Sequence, residues 1–372
     1  MENREKILMF YPHISKNALG SLQEVISGRW IGQGKKVDEF ENKVRSLVKS
    51  DYAVAVNCAS SAIRLALSIS GVGPGDEVIT TAQTCTATNH PILEQFAKPV
   101  FADIQYETGN INPDDIEHRI TEKTKAILPV HWAGCPCDMD EIHKIAKKHN
   151  LAVIEDASDA LGAVYKGKNI GALSSRFTCF SFQAIQQITC GEGGMMCAAG
   201  KKDFESALRR RWYGIDRINR KPNNIGYYDF DAWETGYGYH MTNINAAVGL
   251  SNLNDFDFIM ERRGQIAKQY REGLEGVKGV ELFANSGDRK SANQLFTIHV
   301  KNRDKFCKSL RELGIETSIV HMRNDAYSVF GVFRKDLPVL DKFSKTNISL
   351  PLHTNLSDED ADYIIKSIKK GW

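Results

Sequence analysis

Val37, Phe40, Val44 and Leu47 recur at helical spacing, which predicts an amphipathic helix over residues 37–49. A β-prone run at Tyr52–Val56 follows, with Ser60 and Ser61 marking the next helix start. Ala62, Leu65, Ala66 and Ile69 supply that helix's buried face, and Gly71-Val72-Gly73-Pro74-Gly75-Asp76 stops it. The spaced glycines there imitate a nucleotide fingerprint, but they follow a helix and precede a strand at 77–80. That is the reverse of the context a fingerprint needs, so they read as a turn. The alternation goes on: strands are predicted at 99–102, 126–130 and 151–154, and helices at 113–119 and 139–149. Further strands are predicted at 176–182 and Gly194–Ala198. Apolar runs joined by helices predict an α/β fold, with a mostly parallel central sheet covered on both faces.

Beyond Lys201 the pattern predicts helices, an irregular stretch near 216–224, and helices at 242–253 and 258–274. The last hundred or so residues change character, with strands expected at 294–300 and 316–321 and helices at 303–313 and Asp358–Lys369. The expectation is therefore a large α/β domain, residues 1–255 with an N-terminal arm, and a smaller C-terminal α+β domain, residues 256–372.

Composition narrows the function little. The 372 residues are enough to bury a full core, and 42% hydrophobic and 25% charged content is ordinary for a globular protein. A net charge of +2 gives no mandate for nucleic acid or membrane. Arg209-Arg210-Arg211 reads as a helix face or a small anion site. No apolar run approaches the roughly 18 residues of a membrane helix. The charged segment at residues 1–6 lacks a signal peptide's apolar stretch, so the cytoplasm is the expected location. Cys135 and Cys137 flank Pro136 without a second pair at zinc-ligand spacing, and no metal is expected.

Three segments carry candidate chemistry. Leu151-Ala152-Val153-Ile154-Glu155-Asp156-Ala157-Ser158-Asp159 puts carboxylates at the carboxyl end of a strand, where ligands of open α/β sheets sit. Val56-Asn57-Cys58-Ala59-Ser60-Ser61 offers backbone amides and hydroxyls at a helix N-terminus, a natural anion seat. Taken singly, Asp156 reads as a turn residue and Ser60 as a helix cap. The third segment is Phe180-Ser181-Phe182-Gln183-Ala184-Ile185-Gln186-Gln187-Ile188-Thr189-Cys190-Gly191-Glu192-Gly193-Gly194.

Together these segments resemble the DegT/StrS family of pyridoxal-phosphate sugar aminotransferases. Other matches are Trp30-Ile31-Gly32-Gln33-Gly34, Val130-His131-Trp132, Asp138-Met139-Asp140 and Gly236-Tyr237-Gly238-Tyr239-His240-Met241-Thr242. The resemblance implies pyridoxal 5'-phosphate as cofactor. It places Asp156 against the cofactor's ring nitrogen and Asp159 near its phenolic oxygen. Ala59, Ser60 and Ser181 go to the phosphate, and Cys85 to the ring face. The resemblance implies a homodimer with shared sites; Gly238 stands where an Asn commonly reaches a neighbouring subunit's cofactor, and glycine has no side chain for that contact. Trp30, His321 and Arg323 are implied for the sugar, with L-glutamate as amino donor. The sugar is either a nucleotide-linked keto sugar or a carboxylate sugar, the 8-keto-octulosonate of lipopolysaccharide assembly.

One position departs from the family. The residue that should be the Schiff-base lysine is Gln186, whose neutral amide can neither form an imine nor take a proton near neutral pH. Either a lysine was deliberately replaced to trap an intermediate, the favoured account, or Gln186 is natural. Relatives with His at that position dehydrate sugars, but Gln cannot act as their base. A non-catalytic protein that binds cofactor or sugar is the third reading.

Overall fold

The helix expected from Val37 and Phe40 spans Lys35–Val48 in the computed structural model, which describes residues 5–372. Residues 1–4 of the charged amino-terminal segment lie outside the described residues. The first half of the chain supplies strands β1 (Tyr52–Val56), β2 (Glu77–Thr81), β3 (Lys98–Ala102), β4 (Thr124–Leu128) and β5 (Ala152–Asp156). Short β6 (Val164–Tyr165) and β7 (Lys168–Asn169) precede β8 (Phe177–Ser181) and β9 (Gly194–Ala198). Seven of these form one sheet in the order β1-β9-β8-β5-β4-β2-β3. Only β9 runs against its neighbours, pairing antiparallel with β1 and β8, so the sheet is mostly parallel as its apolar runs predict.

Helices cover both faces of this sheet. Phe40 and Val44 of Lys35–Val48 join Ile142 and Ala146 of Met139–His149 in one apolar cluster. Ala62, Leu65 and Ala66 of Ala59–Ile69 sit with Val54 and Ile154 in another. Burial of such faces, at about 25 cal/mol per Å² of apolar surface, is what holds the layers together.

The rest of the chain adds β10 (Val280–Leu282), β11 (Arg289–Lys290), β12 (Phe296–Val300) and β13 (Asn347–Leu350). A second, three-stranded antiparallel sheet has the order β10-β12-β13. It packs on helices Phe256–Leu274 and Asp358–Lys369 through Ile266, Tyr270, Phe296, Ile298 and Ile364. Contacts cross the expected boundary at 255/256, among them Ile7 joining this second cluster and β11 pairing with β6.

Some expectations need correction. Residues 316–321 make no strand; the segment has a single bridge, Ser318 to Ser349 on the free edge of β13. It then turns so that Val320 and His321 line the main cavity. Helices Ala18–Ser27, Thr86–Glu94 and Pro338–Thr346 were not expected from the pattern. The arginine run closes helix Lys201–Arg210, as the helix-face reading expects, but its guanidinium groups are taken up by carboxylates rather than by an anion site. Arg209 and Arg210 clasp the two oxygens of Glu234 at 2.7 and 2.6 Å, and buried Arg211 pairs with Glu41. Among the described residues no helix is long and apolar enough to cross a membrane.

Candidate functional site

A cavity of about 330 Å³ opens at the carboxyl ends of β5 and β8, the edge where parallel sheets present ligand sites. Ala59, Cys85, Asp156, Asp159, Ser181, Gln186 and His321 line it, so seven sequence candidates meet there from five separate stretches of chain.

Asp156 ends β5 and is buried. One carboxylate oxygen accepts the Thr88 hydroxyl at 2.6 Å; the other accepts the Ser158 hydroxyl at 2.6 Å and the Ser158 N–H at 3.0 Å. The Thr88 hydroxyl is itself 2.7 Å from that of Thr84. Such a clamp fixes a buried carboxylate in one orientation and offsets its lost hydration.

Asp159 differs. Burial and the nearby Asp156 charge push its carboxyl up to about 7. Its Oδ1 accepts the Gln186 side-chain amide at 3.3 Å, a long bond, and its backbone carbonyl accepts the Gln187 amide at 2.6 Å. Gln186 leaves its buried Oε1 without a partner. Behind it stands Arg263, buried on helix Phe256–Leu274, which donates to Leu352 O at 2.8 Å and to Gln294 Oε1 at 2.9 Å. Burial lowers the Arg263 guanidinium to about 10, while Asp159 pulls the other way. Burial also lowers the His321 imidazole, favouring its neutral form.

The opposite wall is a helix start. Cys58 caps Ala59–Ile69 in an extended conformation without a side-chain cap bond, leaving first-turn amides free for an anion. Gly194 at the head of β9 approaches it closely: a Cβ there would overlap the Cys58 carbonyl and lie 2.7 Å from Ala59 N. Ser181 accepts the Gln183 N–H at 3.3 Å, so its own O–H remains a donor towards the same wall.

Four candidates lie elsewhere. The Ser60 hydroxyl donates to Ala87 O at 2.9 Å, tying two helix starts together, and Ser60 is not a lining residue. Gly238 bridges to Trp212, where an added Cβ would sit 2.6 Å from the Tyr213 hydroxyl. Trp30 is 66% exposed, its indole donating to Gln33 O at 2.9 Å. Arg323 is buried and spent on carboxylates: bidentate to Asp325 at 2.6 and 2.7 Å, and paired with Asp341. Its fork matches a carboxylate, but that carboxylate is internal rather than a sugar's. Arg323→Met would strand buried Asp325, so unfolding in urea should show a loss of about 3–5 kcal/mol. A loss under 1 kcal/mol would mean the pair is not structural.

Sequence reasoning missed Thr84, Thr88, Trp132, Ser158 and Gln294, all lining the cavity. Ser158 had a local signal, two residues after Asp156 as in an Asx-type turn. Arg263 had one as well, because it falls on the face set by Ile259, Ile266 and Tyr270. Gln294 had none.

The lining suits a phosphate-bearing heterocycle held without a covalent bond. The uncapped helix start and Ser181 accommodate the anion and Asp156 a protonated ring nitrogen, with the Gln186 side chain lining the same cavity. What is missing is the amine. No Lys or Arg is among the lining residues.

Comparison with known proteins agrees with that geometry. Residues 12–369 match the DegT/DnrJ/EryC1/StrS aminotransferase family. The chain is similar to the spore coat polysaccharide biosynthesis protein SpsC of Bacillus subtilis, 34% identical over 96% of this chain and 95% of that one. Among solved structures it is similar to the sugar aminotransferase CalS13 from Micromonospora echinospora, 32% identical, TM-score 0.93, over 98% of this chain and 100% of the other. It is also similar to Spr1654 from Streptococcus pneumoniae in its PLP form, 29% identical, TM-score 0.91, over 98% of both chains.

Proposed function

The chain belongs to the DegT/DnrJ/EryC1/StrS aminotransferase family, whose members depend on pyridoxal phosphate, and from that premise we propose that its cavity serves amino transfer from L-glutamate to a keto sugar of the cell envelope. The observation that carries this is the convergence of Asp156, Ser181 and the uncapped start of Ala59–Ile69 on one cavity. Bound there, pyridoxal phosphate supplies an electron sink for the substrate carbon that loses its proton. The chain's own residues do the rest. Asp156, locked by Thr88 and Ser158, holds the ring nitrogen's proton; the helix start and Ser181 orient the phosphate; Ala59 and Cys85 shape the ring's seat. Gln186 can carry no proton between substrate and cofactor, so the chain as it stands is impaired.

Within cell-envelope sugars we propose the 8-keto-octulosonate, with His321 on the sugar side of the cavity. The polysaccharide role named for SpsC supports the broader class. Arg323 is not available to that sugar's carboxylate. Gln186→Lys protein, loaded with pyridoxal phosphate and L-glutamate, should aminate the keto-octulosonate in preference to a nucleotide-linked 4-keto sugar. The reverse preference removes the octulosonate, release of a deaminated sugar without net amination indicates a dehydratase, and binding without turnover indicates a binding protein.

We also propose a cytoplasmic homodimer with shared sites. Ile218, Ile225, Tyr227, Phe230 and Trp233 are all exposed on the irregular stretch between Arg210 and Asn243, more apolar surface than isolated residues would give. Sedimentation should give a dimer; a monomer that binds cofactor with full affinity would refute this.

A further inference from the structure

We propose that Asp159 makes this cavity selective for the amine form of the cofactor, pyridoxamine phosphate, over the aldehyde form. The inference rests on the proposed seating of the cofactor and adds a charge argument to it. Two carboxylates, Asp156 and Asp159, line the cavity, and no lysine or arginine lines it with them. Asp156 already accepts three hydrogen bonds from Thr88 and Ser158, and its remaining acceptor capacity is assigned to the ring nitrogen. The Asp159 side chain accepts a long bond, 3.3 Å, from the Gln186 amide and a backbone hydrogen bond at Ala133, which leaves its carboxylate room for a further donor. The nearest buried cation, Arg263, makes its hydrogen bonds to Leu352 O and the Gln294 side chain and backbone, and acts on Asp159 only through space. His321, the other titratable group lining the cavity beside Cys85, is favoured neutral by burial and does not supply the missing charge.

A ligand ammonium placed beside position 186 would therefore do two things at once. It would give Asp159 a charged donor, and it would put a cation where a lysine would otherwise stand. An aldehyde offers Asp159 no donor. One charge-assisted hydrogen bond is worth about tenfold in affinity or more.

The test is equilibrium binding of pyridoxamine phosphate and pyridoxal phosphate to the apoprotein at pH 8, followed by calorimetry and by ligand fluorescence or absorbance. The amine form should bind about tenfold or more tightly, and Asp159→Asn should bring the ratio of the two affinities close to one. Equal binding of both forms by the unsubstituted chain would overturn the selectivity alone. Binding of neither form would overturn the seating as well. An undiminished ratio in Asp159→Asn would remove Asp159 as its cause, and equal losses of both forms would show Asp159 to be a structural residue.

Discussion

Gln186→Lys should raise glutamate-dependent amination by at least about 10²–10⁴-fold, the contribution of a positioned proton carrier. The surrounding site needs no rebuilding for this. Position 186 already lines the cavity with its side-chain amide 3.3 Å from Asp159, so an amine there would meet a ready-made counter-charge. Asp159 would then face a protein cation, and its carboxyl should ionise more readily than it does beside a neutral amide. The substituted protein should turn yellow with pyridoxal phosphate and retain it covalently after borohydride reduction, at position 186 on peptide mapping. A colourless protein with no reducible link would dispose of the cofactor reading, independently of which sugar is used.

Asp156→Asn in the Gln186→Lys background should lower turnover by about 10–10³-fold, the range over which a neighbouring charge moves a proton affinity. Asparagine keeps an acceptor for Ser158 but cannot hold a positive charge on a ring nitrogen. The buried clamp of Thr88 and Ser158 means that no water can take over the missing charge cheaply. Turnover should fall much further than stability: a urea midpoint shifted in proportion to the lost activity would mean that Asp156 organises the fold. Unchanged turnover would place the reacting ring elsewhere.

The seven strands of the main sheet were legible because their buried runs are largely apolar and bounded by turn residues, so periodicity and burial coincide. Helix Thr86–Glu94 escaped for the opposite reason. Its buried positions include Thr88, Asn89 and Pro91, and the first two are polar because they serve Asp156 and Asn324. A helix whose inner face is built for a site does not display an apolar stripe. Residues 316–321 misled in the converse way: a β-prone run met just one bridge and was diverted into the cavity wall.

Of the site, the parts tied to local chain geometry were readable. Asp156 closes a strand, Ser181 closes another, and Gln186 follows at a fixed distance along the same segment. These depend on neighbours within a few residues, where strand ends and helix starts fix direction. Arg323 could not be resolved in that way, since a guanidinium pairs with whichever carboxylate the fold delivers, and here that is Asp325 two residues on and Asp341 from another helix. Likewise the proton affinity of Asp159 depends on burial, on Asp156 and on Arg263, more than a hundred positions away. The sequence by itself determined the α/β architecture and a neutral amide at position 186, both written in residue identity and period. Only the tertiary structure decided which charges share a cavity, because electrostatic fields act across space and take no account of order along the chain.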